Sequence, residues 1–363
     1  MPALNGSRIR VVVIDDSPTV RDLLVDLLRA AGDMEVVGIG ANGADAVRLV
    51  NRLHPDVVTM DIRMPTLDGL EATRRIMREA PTPIVIVTGS LMRGDIDLTM
   101  EALRAGALTI VNKPGLADPE TCDKVVQAVR LMASVPVIHH WNRGLTSRPA
   151  VAAGRLPAGL PRPRPQPLRV IGLAASTGGP AALATILRAL SAYKQFQLPL
   201  LIVQHITTGF ASSLADWLSQ YTDRRVALAS HGDAVTAGTV WLAPDDYHIQ
   251  VNGQGVVELS KQPPYHGLRP SANMLFQSLA RAYGAQAAGV ILTGMGDDGG
   301  EGLETLHTAG GLTIAQDEPS CVVFGMPREA IARHAVDYVL PLDRIAPLLN
   351  QLAGVGAGLA SDG

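Results

Sequence analysis

Short apolar runs alternate with segments of helical period over the first 130 positions. Residues 9–14, 35–39, 56–60, 83–87 and 107–111 read as strands. After the first of them, Val20, Leu23, Leu24, Leu27 and Leu28 recur on one helix face. Ser17 stands where a cap is needed, Pro18 in the first turn and Gly32 at the stop. Repeated strand–helix units predict a parallel sheet covered on both faces, a doubly wound α/β domain over residues 1–133. The pattern lapses over residues 134–167, where proline and arginine accumulate up to Leu160-Pro161-Arg162-Pro163-Arg164-Pro165-Gln166-Pro167, which predicts a linker partly extended as polyproline II. It resumes at Leu168. Strand signals recur at 168–175, 200–203, 226–229, 240–242, 248–251, 256–259, 288–293 and 312–315, and helical ones at 181–190, 211–221, 272–283 and 303–309. A second doubly wound α/β domain, Rossmann-like with some antiparallel strands, is expected over 168–355, followed by a tail at 356–363.

A chain of 363 residues has room for such an arrangement, and 47% hydrophobic against 18% charged residues is a globular balance. Thirty-one basic and 34 acidic residues leave a net charge of -3, which argues against nucleic acid or an anionic membrane as the main partner. Cys122 and Cys321 are the only cysteines and offer neither a disulfide framework nor metal-ligand spacing. The first residues lack the apolar core of a signal peptide, and no run approaches the roughly 18 apolar residues of a membrane span. A soluble, cytoplasmic protein without membrane insertion is the expectation.

Chemistry-bearing side chains sit where apolar runs end. In the first domain Asp15 and Asp16 follow the first strand, Asp61 the third, Thr88 ends the fourth, and Lys113 follows the fifth. Three carboxylates on one rim suit Mg²⁺, Asp61 can act as a nucleophile toward a phosphoryl group, and Lys113 and Thr88 can meet the phosphoryl oxygens. Met64-Pro65 and Asp68-Gly69 shape the loop after Asp61. These residues resemble the receiver domain of response regulators, which implies a flavodoxin-like fold, Mg²⁺ as cofactor and Asp61 as phosphoacceptor. Ile110 departs from the aromatic residue usual three positions before the lysine.

In the second domain Ser176, His205 and Asp298 each fall where an apolar strand gives way to a loop. Alone, each reads as a cap, a strand-end histidine or a turn residue; together they read as a triad. Ser176 attacks a carbonyl, His205 takes and returns the proton, and Asp298 holds the imidazole through Nδ1. Gly178 and Gly179 would let backbone amides approach the substrate, with Thr177 and Met295 as candidate oxyanion donors beside a helix start. The order Ser…His…Asp and Ala174 in place of a first glycine exclude the α/β-hydrolase elbow. No lysine follows Ser176–Pro180 as a Walker loop requires.

With Ala175-Ser176-Thr177-Gly178-Gly179-Pro180, Gln204-His205, Gly209-Phe210, Ala243-Pro244, Arg269-Pro270-Ser271, the loop 292–299 and Phe324-Gly325-Met326-Pro327, the chain resembles the chemotaxis protein-glutamate methylesterase family. The resemblance selects Asp298 over Asp297. It implies hydrolysis of glutamate methyl esters on methyl-accepting chemoreceptors with release of methanol, deamidation of receptor glutamines, and a histidine kinase as phosphodonor; ester hydrolysis itself needs no cofactor. Ala174, Ile206-Thr207, Leu268 and Asn273 depart from the family pattern without touching the triad. A regulatory scaffold without turnover is the competing reading. A transcriptional regulator would need a basic recognition helix that is missing here.

Overall fold

The computed structural model describes residues 8–89, 101–103, 105–115, 118–135 and 166–354. The chain divides into two compact units, Met1–Ser147 and Arg148–Gly363, each with its own sheet. The expected linker falls largely on residues 136–165 and the expected tail on 356–363, both outside the described residues. No helix among the described residues is long and apolar enough to cross a membrane.

In the first unit β1 (Ile9–Ile14), β2 (Met34–Gly40), β3 (Val57–Met60), β4 (Ile84–Thr88) and β5 (Thr109–Asn112) form one parallel sheet in the order β2-β1-β3-β4-β5. This is the doubly wound order whose crevice lies beside the first strand, at the carboxyl ends. Helices α1 (Pro18–Ala30), α2 (Gly43–Leu53), α3 (Gly69–Glu79) and α4 (Pro119–Met132) cover it. Strand interiors are covered on both faces: β3 and β4 are buried throughout and mostly apolar, as a sheet with helices on either side requires. The register sets Ile14 beside Met60, so the residues after them, Asp15 and Asp61, emerge together.

Two details of α1 differ from expectation. Ser17 holds the cap position but its hydroxyl makes no capping bond; its N–H donates instead to Asp15 Oδ1 at 2.9 Å. The buried face is centred on Leu24, Val25 and Leu28, with Val20, Leu23 and Leu27 only half covered. Helices α2, α3 and α4 are capped by Asn42, Asp68 and Asp118, whose side chains accept from the amide three residues on.

The second unit contains β6 (Val170–Ala175), β7 (Leu200–Gln204), β8 (Arg225–Leu228), β9 (Thr239–Leu242), β10 (His248–Val251), β11 (Val257–Ser260), β12 (Ala287–Ile291), β13 (Leu312–Gln316) and β14 (Tyr338–Leu340). Seven of them form a parallel sheet in the order β14-β13-β12-β6-β7-β9-β8, while β10 and β11 form a separate antiparallel hairpin. The expected antiparallel strands are therefore confined to that hairpin, and β14 is a short strand that the sequence pattern does not announce. Helices are α5 (Gly179–Ser191), α6 (Ala211–Ser219), α7 (Ala272–Tyr283), α8 (Gly300–Thr308), α9 (Met326–Ala332) and α10 (Leu342–Gly354).

One face of the sheet packs against α7 and α8, where Leu275, Phe276, Leu279, Leu303 and Leu306 meet Val170, Ala174, Ile291 and Ala315. Burying a side chain of that size contributes about 1.5–3 kcal/mol, which makes this contact a principal anchor of α7. β6 comes first in this unit, with β7, β9 and β8 on one side of it and β12, β13 and β14 on the other, so β6 is the switch point. Its two neighbours are β7 and β12.

Candidate functional site

At the carboxyl rim of the first sheet, Asp15 and Asp61 are buried and Asp16 is exposed, and one carboxylate oxygen of each lies within 4.8 Å of the others. Lys113 Nζ is 2.8 Å from Asp15 Oδ2 and 2.8 Å from Asp61 Oδ2. Asp61 Oδ1 accepts the Ile62 amide at 2.7 Å, whereas Asp15 Oδ2 stands outside hydrogen-bond geometry despite its ion pair. Burial, reinforced by Asp15, pushes the Asp61 carboxyl above its ordinary value against the pull of Lys113. For Lys113, burial opposes the charge, but the facing carboxylates of Asp15 and Asp61 prevail and raise it. Two buried carboxylates that share a single cation and keep an oxygen without a hydrogen bond fit a hard divalent ion; Asp15, Asp16 and Asp61 are the residues that would hold Mg²⁺. Thr88 is buried at the end of β4, its carbonyl accepting the Lys113 amide at 2.9 Å. Ile110 is buried on β5.

In the second unit the three residues leave three adjacent strands. Ser176 follows β6, His205 follows β7, and Asp298 lies in the loop after β12. The strands are in register at Ala174, Val203 and Ile291, so their ends open on one crevice. His205 Nε2 is 2.9 Å from Asp298 Oδ2. The ring nitrogen that meets the carboxylate is thus Nε2, and not the expected Nδ1; Nδ1 is the nitrogen left over. Ser176 Oγ makes no hydrogen bond to His205 among the described residues.

Asp298 is 1% exposed, whereas its neighbour Asp297 is exposed. Its carboxylate accepts the Ser271 hydroxyl at 2.6 Å, the Ala272 amide at 2.6 Å and the Asn273 amide at 3.2 Å, besides His205. The start of α7 is therefore capped by an aspartate from the loop after β12, while its own cap residue, Ser271, makes no capping bond and donates to that aspartate. Burial would raise the Asp298 carboxyl, but the bond and charge of His205, then Ser271 and Ala272, outweigh it and hold the carboxyl below its ordinary value. The acid stays ionised beside the imidazole. Asn273 also accepts the Gly302 amide through Oδ1 at 2.7 Å, tying α8 to the same cluster. Reasoning from the sequence assigns no role to Ser271 and Asn273. The available signal is a serine in an Arg-Pro-Ser step just before a helical pattern, which marks a cap without revealing whose donors it completes.

The two glycines after Thr177 each face close neighbours in the fold. Gly178 has φ +77°, and a Cβ on it would lie 2.6 Å from Val322 Cβ. A Cβ on Gly179 would lie 2.0 Å from Gln204 Oε1. Both absences accommodate neighbours in the fold. The N–H groups of Thr177 and Met295, the expected oxyanion donors, make no hydrogen bond among the described residues, and the Met295 side chain is 43% exposed at the rim.

The model of the response regulator receiver domain matches residues 11–126, and that of the CheB methylesterase matches residues 171–349. A protein-glutamate methylesterase/protein-glutamine glutaminase of Syntrophus aciditrophicus is 43% identical over 95% of this chain and 99% of its own length. The chain belongs to the protein-glutamate methylesterase family. Another relative of that name, from Myxococcus xanthus, is 46% identical over 96% of this chain and 98% of its own. The catalytic domain of the Thermotoga maritima CheB methylesterase is 37% identical, with TM-score 0.49 over 51% of this chain and 98% of that one. The methylesterase match contains Ser176, His205 and Asp298, and the receiver match contains Asp15, Asp16, Asp61, Thr88 and Lys113.

Proposed function

We propose that this protein hydrolyses glutamate methyl esters on chemoreceptors, deamidates receptor glutamines by the same acyl chemistry, and is controlled by phosphorylation of Asp61. The observation that carries the reading is the buried Asp298 bonded to His205 on the strand end next to Ser176. His205, held by Asp298 through Nε2, takes the Ser176 proton at Nδ1 as Oγ adds to the ester carbonyl. The N–H groups of Thr177 and Met295 receive the oxyanion. Collapse breaks the bond to the methoxy oxygen, and His205 returns its proton so that methanol leaves. Water then adds to the acyl-enzyme with His205 as base; glutamate is released and Ser176 regains its proton. With a glutamine substrate, ammonia leaves in place of methanol.

In the receiver, Asp61 attacks the phosphoryl group carried on a histidine of the kinase; the P–N bond breaks, the imidazole stays with the kinase, and Lys113 and the Thr88 hydroxyl turn to the phosphoryl oxygens. Bound at Asp15, Asp16 and Asp61, Mg²⁺ supplies charge compensation for that group. The unphosphorylated receiver restrains the esterase, across a boundary lying in residues 134–167, and the setting is the cytoplasm. The test is methanol release from methylated receptor membranes, with and without a small phosphodonor. Ser176→Ala should abolish release while Asp61 still takes up phosphate; release near the wild-type rate from that variant overturns the reading.

A further inference from the structure

Ser176 and His205 are linked through a third side chain. Gln204, the last residue of β7, is 5% exposed. Its Nε2 donates to the Ser176 carbonyl at 2.8 Å and to the His205 carbonyl at 2.8 Å. Facing two carbonyls, the amide can present only its NH₂ group there, which settles its orientation. Its Oε1 is buried without a hydrogen-bond partner, pressed toward Gly179 where only a glycine leaves room. A buried acceptor left unpaired is a cost that calls for a compensating role.

Strand cohesion does not need this clamp. Ala175 and Gln204 are already paired in the sheet, and the His205 amide already donates to the Ala175 carbonyl at 3.0 Å. The clamp acts one residue beyond the end of the ladder. There the Ser176 carbonyl accepts both Gln204 and the Gly179 amide, the latter at 2.8 Å. The peptide joining Ser176 to Thr177 is trans, so its N–H points away from its carbonyl. Holding the carbonyl inward turns the Thr177 N–H outward. The next carbonyl, that of Thr177, is held in turn by the Thr293 hydroxyl at 2.9 Å.

We infer that Gln204 is a positioning residue: one amide, bonded to the carbonyls of Ser176 and His205, aims the Thr177 N–H as an oxyanion donor and keeps base and nucleophile loops in step. The inference rests on Ser176 being the nucleophile. Gln204→Met keeps the length of the side chain and removes the donor; Gln204→Glu keeps the shape and can donate only when protonated. Both are assayed as full-length chains on methylated receptor membranes, beside Ser176→Ala. Gln204→Met should lower kcat by about 10- to 100-fold with KM within about twofold, since an oxyanion donor is misaimed while ground-state binding is untouched. Gln204→Glu should be similarly slow near neutral pH and, relative to wild type, recover as the pH falls and its carboxyl gains a proton to donate. A folded Gln204→Met with wild-type kcat overturns the inference, and so does a Gln204→Glu profile parallel to that of wild type. Full activity in Ser176→Ala would instead sink the nucleophile assignment, whatever the Gln204 variants do.

Discussion

Replacing Asp298 by asparagine should damage both turnover and stability, in amounts that the geometry sets. The carboxylate meets four donors: His205 Nε2 and Ala272 N on Oδ2, Ser271 Oγ and Asn273 N on Oδ1. An amide has one oxygen, so its NH₂ must face a pair of donors. Ser271 or His205 can rearrange to accept, but in either pose a backbone N–H of α7 loses its partner. A buried N–H left unpaired costs about 1–3 kcal/mol. Loss of the negative charge at the helix start adds about 0.3–1 kcal/mol. Together these come to roughly 1.5–4 kcal/mol, or about 3–15 °C in the melting of a domain this size. Turnover should fall by up to about 10⁴, because an NH₂ group facing Nε2 places the imidazole proton on Nδ1, where the serine must be deprotonated. Asp297→Asn, an exposed change beside it, should stay within about 0.5 kcal/mol and keep its activity. The pH dependence has a definite sign. The folded carboxyl lies below its ordinary value, so its charge stabilises the fold above that value and the contribution fades as pH falls through the folded value. The gap in melting temperature between wild type and Asp298→Asn should narrow in acid. Calorimetry and methanol release on both variants decide the matter: equal behaviour of the two asparagine variants would refute the argument.

Removing the Ser271 hydroxyl with alanine should slow turnover about tenfold while leaving KM unchanged, since a bond to a buried anion is lost; unchanged kcat would count against its role. Asp61→Asn should melt higher than wild type in metal-free buffer at neutral pH. The raised folded carboxyl destabilises the fold once pH exceeds the ordinary carboxylate value, so the advantage should vanish below that value; a lower melting point would contradict the sign. Chelation of divalent ions should block phosphate uptake at Asp61, measured with a radiolabelled phosphodonor, without slowing basal methanol release. A fragment beginning at Leu168 should outpace the unphosphorylated full chain, and a tenfold gain corresponds to about 1.4 kcal/mol in the balance of closed and open forms. Equal rates would mean that the receiver does not restrain the esterase.

What the sequence discloses of these sites follows from how each residue is placed. Asp15, Asp61, Ser176 and His205 directly follow the buried ends of strands, and a parallel sheet brings such positions to one rim without further information. The partners of Asp298 are harder to read. They depend on where the first turn of α7 lands in space, and Ser271 at its start is 27 residues from Asp298 along the chain. The ring nitrogen of His205 that meets the acid is set by a side-chain rotation and leaves no trace in residue order. The closeness of Gln204 to Gly179, a contact between neighbouring strand ends, is likewise not legible in the motif. β14 escapes notice because three residues carry too little periodicity to stand out.

The central position of β6 also bears on how the enzyme is made. Its partners arrive at very different times during synthesis: β7 follows soon after, whereas Asp298 is 93 residues beyond His205. A nascent chain that has emerged as far as β11 carries the serine and the histidine but no acid, and one edge of β6 is still unpaired. On the proposed triad, acyl chemistry would be withheld until β12 inserts beside β6 and brings Asp298 to the rim, a long-range pairing made late in synthesis and followed only by β13 and β14. Chains truncated before β12 would carry Ser176 and His205 but lack Asp298, the residue that holds the imidazole.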